Sequence, residues 1–334
     1  MTFYFLGACV VLATFGAVTL ATSEALRLVW PLAKARLAGL EPRPRARCLL
    51  FLRVFPAGLG LLAGASVSLP AYLRFEPRDT NEIAGPALLI LAAAGLVLAC
   101  VSAARLLWAA AGTRRLRREW AHSARAVAVP GVVFPVYRLD GTLPVVALTG
   151  CRRPTLFIAG AVLDGCAPRL VSAIAAHETG HQRAGDNFQR LLWTASAEPL
   201  SFSRAGREMA AAWEIATEEA ADDDALSSGT PAIDLAEALL SVARLAPASR
   251  WPALPAAAFY RGERLERRVG RLLRSGVARS VRTPRRSAAV ALLLAALWLF
   301  AAEALHHPVH RLVERAVSRP QAEQRALVVD RLPA

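Results

Sequence analysis

Three uncharged runs constrain this chain more than any other feature. Phe3 to Thr22, Val54 to Leu73 and Ala84 to Ala104 hold no Asp, Glu, Lys or Arg. At the α-helical rise, about twenty residues cross the roughly 30 Å hydrocarbon core of a bilayer. Each run is therefore expected to be a membrane span. A fourth, shorter run from Ala288 to Ala302 reaches Leu305 if Glu303 lies at the interface, and it directly follows a cluster of arginines. We read it as a fourth span. No basic residue precedes the first run, so an uncleaved span is expected there rather than a signal peptide. With 55% hydrophobic and 20% charged residues and a mean hydropathy of +0.36, the chain is not composed like a cytosolic enzyme, a disordered segment or a disulfide scaffold.

The formal charge of +14 comes almost wholly from arginine, since Lys34 is the only lysine. Its placement alternates along the chain. Arg27, Lys34, Arg36, Arg43, Arg45, Arg47 and Arg53 follow the first run, whereas the loop after the second holds only Arg74 and Arg78 beside Glu76, Asp79 and Glu82. Arg105, Arg114, Arg115, Arg117 and Arg118 follow the third run, and Arg271, Arg274, Arg279, Arg282, Arg285 and Arg286 precede the fourth. The positive-inside rule then sets both termini outside and the large intervening block in the cytoplasm. Much of the excess charge is read as facing anionic lipid, so no direct nucleic-acid partner is expected. The cysteines (Cys9, Cys48, Cys100, Cys151, Cys166) form no CxxC pair and are expected to be buried structural thiols.

The layout that follows has a three-span region at 1–112, a cytoplasmic domain at 113–287, a fourth span at 288–305 and a short outer tail at 306–334. The cytoplasmic block opens with β-like runs at Val132 to Arg138, Pro144 to Leu148 and Thr155 to Ala159. Helical patterns follow at Ala167 to Ala184, Arg204 to Leu226, Ile233 to Leu245 and Arg261 to Leu273. Strands followed by helices predict an α+β domain. His122 is read as structural. His306, His307 and His310 are read as incidental to an interfacial tail.

The chemistry concentrates in His177-Glu178-Thr179-Gly180-His181, an H-E-x-x-H motif. The apolar residues Leu170, Val171, Ile174 and Ala175 before it place it on a helix. Four residues advance a helix by about 400°, so His177 and His181 share a face one turn apart and can share a Zn²⁺. Glu178, offset by one residue, is placed to take a proton from water at the metal. A peptidase zinc needs a third protein ligand, and the acidic stretch Glu214 to Leu226 supplies candidates. Glu218 and Asp222 share a face at i, i+4. Glu218 is expected to ligate, and Asp222 to accept the free ring N–H of a ligating histidine. Glu214, one turn earlier, is the other plausible ligand. Asp223 and Asp224 are read as a solvated face.

His177-Glu178-x-x-His181 followed by Glu218-x-x-Ala221-Asp222-x-x-Ala225 resembles the gluzincin membrane peptidases. One relative is the BlaR/MecR type, metallopeptidase family 56; the other is the HtpX and CAAX-prenyl-protease type, family 48. The resemblance extends to Thr149 through Ile158, to His181 through Asp186, and to the basic segment Arg264 to Arg268. Three spans, then a zinc domain, then a fourth span match the BlaR/MecR layout. The short tail His306 to Ala334 leaves no room for that family's penicillin-binding sensor, so direct β-lactam sensing is not expected.

The resemblance implies a membrane-embedded zinc endopeptidase with a zincin-like domain, held in a bacterial inner membrane and acting in regulated proteolysis. Its substrate would be a cytoplasmic or membrane-proximal protein, such as a transcriptional repressor or the chain itself, and a separate sensor protein would be a further partner. The strand at Thr155 to Ala159 is expected to bind extended substrate by β-addition. The alternatives are an HtpX-like quality-control protease and a non-catalytic signalling scaffold on a peptidase fold.

Overall fold

The computed structural model describes residues 2–78, 84–140, 146–196, 199–245 and 262–274, with Leu305, His307, Pro308 and Arg311 beyond them. Within these the chain is mostly helical, with three candidate spans at the N-terminus and one small mixed sheet. The expected fourth span and nearly all of the tail, His306 and His310 included, lie outside the described residues.

Helix α1 runs from Thr2 to Ala38. Helix α2 (Pro42–Ala63) passes through a π-helical turn, Gly64–Ser68, into α3 (Leu69–Phe75). Helix α4 (Pro86–Ser123) begins on Pro86, whose missing N–H costs a helix nothing at its first turn. Phe3–Ala38, Pro42–Phe75 and Pro86–Ser123 are each long and apolar enough to cross a membrane. All three run well past their uncharged stretches, and α4 does not break at 112/113. Gly16 and Gly95 let α1 and α4 approach closely: a Cβ on Gly16 would lie 2.9 Å from Leu91 O.

Four strands follow, β1 (Ala124–Val127), β2 (Val136–Leu139), β3 (Val146–Thr149) and β4 (Thr155–Ala159), in the order β1-β2-β4-β3. β4 pairs parallel to β2, with Val136 opposite Leu156, and antiparallel to β3, with Leu148 opposite Leu156. Thr155 to Ala159 is thus an interior strand, buried at every position, and cannot accept an added strand. This corrects the sequence expectation; the edge on that side of the sheet is β3. The first strand, β1, was not foreseen.

The helical expectations agree closely with α6 (Pro168–Ala184), α8 (Arg204–Ser227), α9 (Ala232–Leu245) and α10 (Gly262–Arg274). Two shorter helices, α5 (Gly160–Gly165) and α7 (Asp186–Ala195), come in addition. Gly185 ends α6 in the left-handed region at φ 73°, which favours glycine, and the chain turns at once into α7. Ser203 caps α8 by accepting the Gly206 N–H. Leu156, Ile158, Val162, Leu170, Ala173 and Leu235 build the core between sheet, α6 and α9.

A second apolar cluster joins the candidate membrane helices to the domain. Trp30 of α1 and Leu49 of α2 pack with Met209, Trp213 and Ala216 of α8. Ion pairs reinforce the contact: Arg43 with Asp224 at 3.1 Å, Arg45 with Glu219, and Lys34 with Glu208 at 2.9 Å. Buried Arg53 donates to Ser196 O and lies over the Trp193 ring. These cations therefore face the protein, which corrects the reading that they face lipid. Asp223 and Asp224 are not a solvated face either: Arg271 lies 2.8 Å from Asp223, and Arg183 also holds Asp224. Cys9 and Cys166 are buried as expected, but Cys48, Cys100 and Cys151 are exposed, which corrects the expectation for those three.

Candidate metal centre

Helix α6 carries His177 and His181 on its buried face, and α8 crosses it with Glu218 opposite. The crossing is close because Gly180 has no side chain. A Cβ there would meet Ala221 O at 3.0 Å and Ala221 Cα at 3.1 Å. His177, His181 and Glu218 form a buried group whose ligand atoms all lie within 4.8 Å of one another. Glu214 is not part of it.

His177 Nε2 and His181 Nε2 lie 3.1 Å apart, and each lies 3.5 Å from a different oxygen of Glu218, Oε2 for His177 and Oε1 for His181. Tetrahedral bonds of about 2.0–2.1 Å set ligand atoms about 3.3–3.4 Å apart, so the two rings and the Glu218 carboxylate are near enough to share one ion. The two facing Nε2 atoms cannot both be bare acceptors at 3.1 Å; a proton or a cation must lie between them. Glu218 Oε2 is buried and makes no well-aligned hydrogen bond, although Arg268 Nη1 lies 3.1 Å away. This donor set suits a divalent cation of zinc type.

Both imidazoles are oriented from behind. His177 Nδ1 lies 3.0 Å from Asp222 Oδ1, and His181 Nδ1 lies 2.6 Å from Asp186 Oδ2. Each contact directs Nε2 inward. Asp222 is fully buried and accepts two hydrogen bonds from Arg268, Nη2 to Oδ1 at 2.6 Å and Nε to Oδ2 at 2.9 Å.

Burial opposes charge on every group here, yet the local charges override it at the ligands. The His181 and Arg268 charges hold the Glu218 carboxyl well below its usual range. Arg268 does the same for Asp222. Glu218 and the bond to Asp186 push His181 up to about 10, and Asp222 and Glu218 raise His177. Glu178 differs: burial pushes its carboxyl above the usual range, with the two imidazoles pulling only partly against it. A raised carboxyl is suited to moving protons near neutral pH.

A cavity of about 600 Å³ reaches Glu218 from the side, between β3, the far end of α4, α7 and α8. β3 lies along its wall. Asn187 Nδ2 donates to Leu148 O and Gly150 O, so part of that strand edge is already covered.

The structure thus brings His177, Glu178, His181, Glu218 and Asp222 into one site. Sequence reasoning missed two members. Asp186 was visible only as part of a motif continuation, and the αL glycine before it was the available signal. Arg268 belonged to a segment noted for its resemblance, with nothing to link it to Asp222. His122 lies apart from the site, where its Nδ1 donates to Arg118 O, and His307 packs on the Phe75 ring. No family model matches the chain, and neither curated proteins nor solved structures provide a match.

Proposed function

We propose that this chain is an integral-membrane zinc endopeptidase of the BlaR/MecR type. It would have four spans, a zincin-like domain between the third and fourth, and that domain on the cytoplasmic side of a bacterial inner membrane. One observation carries the reading: the ligand atoms of two histidines and a glutamate gather within 4.8 Å of one another in a buried group, beside a buried second carboxyl and at the end of a cleft.

Bound zinc supplies Lewis acidity toward the scissile carbonyl and the attacking water. His177, His181 and Glu218 hold it, while Asp222 and Asp186 keep both rings turned inward. Glu178 takes the proton of the attacking water and returns it to the leaving amine. The edge of β3, rather than β4, offers main-chain groups to an extended substrate. The substrate would be a cytoplasmic or membrane-proximal protein, a repressor or the chain itself, and a separate sensor protein would deliver the signal.

The test is zinc per chain on detergent-purified protein, with cleavage measured alongside. We expect near-stoichiometric zinc, lost in His181→Ala and in Glu218→Ala. Glu178→Gln keeps its zinc and loses cleavage. Cleavage retained in Glu178→Gln removes the assigned base. A wild type without zinc, where a control metallopeptidase keeps its own, removes the enzyme reading.

A further inference from the structure

We infer that the cleft beside the metal centre selects peptide segments carrying acidic side chains next to the bond to be cut. This rests on the peptidase reading above and adds the substrate class.

The charged lining of the cavity is unbalanced. Arg114, Arg117, Arg190, Arg267 and Arg268 face it, against the carboxylates of Glu214 and Glu218. Glu218 belongs to the candidate metal centre. Arg268 is neutralised by Asp222, and Arg267 lies 3.1 Å from Glu219. Arg114 and Arg117 are different. Neither has a carboxylate partner among the described residues, and Arg117 donates only to Thr155 Oγ1 at 3.3 Å. They stand three residues apart on one face of α4, with Trp120 a turn further on. On the opposite side of the same helix Arg115 is paired, 2.8 Å from Glu119. Among the cleft-lining cations, Arg114 and Arg117 are the two with no carboxylate neighbour among the described residues.

The rest of the wall includes Leu148, Leu191 and Ile215. Apolar walls around charges of one sign focus the field into the cleft and favour ligands of the opposite sign. An acidic segment with apolar neighbours fits this lining, and a lysine-rich one is repelled by it. Lipid headgroups are the other anionic ligands within reach of a membrane helix. Arg114 stands about ten residues past the uncharged part of α4, or about 15 Å along the helix axis. The headgroup layer is only about 5–8 Å deep on each side. The pair therefore lies beyond it, on the wall of the cavity that reaches Glu218.

The test uses full-length, zinc-loaded protein in neutral detergent and three quenched-fluorescence peptides. They share a Leu-Phe centre and carry Asp, Asn or Lys on both flanks. We expect kcat/KM to fall in that order, by about tenfold or more from Asp to Lys, with the spread shrinking as salt is added. Arg114→Gln/Arg117→Gln flattens the order and Arg114→Glu/Arg117→Glu inverts it, both at unchanged zinc content. Equal rates for the three peptides, or an order that survives in the Glu variant, overturn the inference and leave the peptidase standing. Binding of the same peptides to zinc-loaded Glu178→Gln protein, read by anisotropy, separates the two readings. If wild type cuts none of them but binding follows the charge order, the cleft preference stands and the peptidase reading falls. No charge order in either measurement overturns the inference. So does loss of binding to anionic phosphatidylglycerol vesicles in the Gln variant without any change in peptide preference, which would assign the two arginines to lipid.

Discussion

Replacing Asp222 should damage the protein in two separable ways. The carboxylate is fully buried, accepts two hydrogen bonds from Arg268 at 2.6 and 2.9 Å, and stands 3.0 Å from His177 Nδ1. Asp222→Ala strands the Arg268 guanidinium, itself only 4% exposed, with Glu218 as its remaining anion. Breaking a buried pair from one side costs about 3–5 kcal/mol, and the Glu218 contact places this case near the lower figure. His177 also loses the group that orients its ring, which typically lowers metal affinity about 10–100-fold. Stability is read on chelator-treated protein by SDS titration in mixed micelles, and zinc affinity by competition with a chromophoric chelator. Asp222→Asn keeps an acceptor for His177 while removing the charge, so it should lose stability and largely retain zinc. The double variant Asp222→Ala/Arg268→Met removes the stranded guanidinium and leaves Glu218 with the two imidazoles and with Arg190 at 3.7 Å. It should regain much of the stability lost in Asp222→Ala and none of the zinc affinity. An Asp222→Ala protein that unfolds and binds zinc like wild type would refute the reasoning.

Gly180→Leu should force α6 and α8 apart, costing about 1–3 kcal/mol from overpacking and abolishing zinc binding, whereas Gly180→Ala should be milder; equal zinc content in all three proteins contradicts this. Gly95→Val should loosen the α1–α4 contact and lower SDS resistance while zinc content holds, because the clash lies in the membrane helices and far from α6. Lys34, Arg204 and Trp30 push the Glu208 carboxyl down to about 2. A depressed folded value means its contribution is present above the unfolded value of about 4.3 and fades as pH falls toward 2. Glu208→Gln should flatten that part of the pH–stability curve, and parallel curves for the two proteins would contradict the assignment.

Much of the site was readable because its first half is local. The i, i+4 spacing of His177 and His181 is a property of one helix turn, and the apolar residues before them fix which face is buried. The misread strand shows the opposite case. Thr155 to Ala159 was taken for an edge, although an unbroken apolar run signals a strand covered on both faces. The strand order β1-β2-β4-β3 is a matter of pairing, and chain order does not reveal it. The arginines of the first loop were counted as lipid-facing because charge beside a span reads that way; only the docked α8 shows carboxylates waiting for Arg43 and Arg45.

The sequence alone determined three apolar segments long enough to cross a membrane, the helical H-E-x-x-H motif and the acidic stretch that answers it. Each of these depends on residues within a few turns of one another. The tertiary structure decided that Glu218 rather than Glu214 meets the histidines, that Asp186 and Asp222 hold the two rings, and that Arg268 clamps Asp222. It also decided that β3 borders the cleft. These depend on how α6, α8 and α10 cross, and that is set by packing between segments tens of residues apart, where a missing side chain at Gly180 matters as much as any charge.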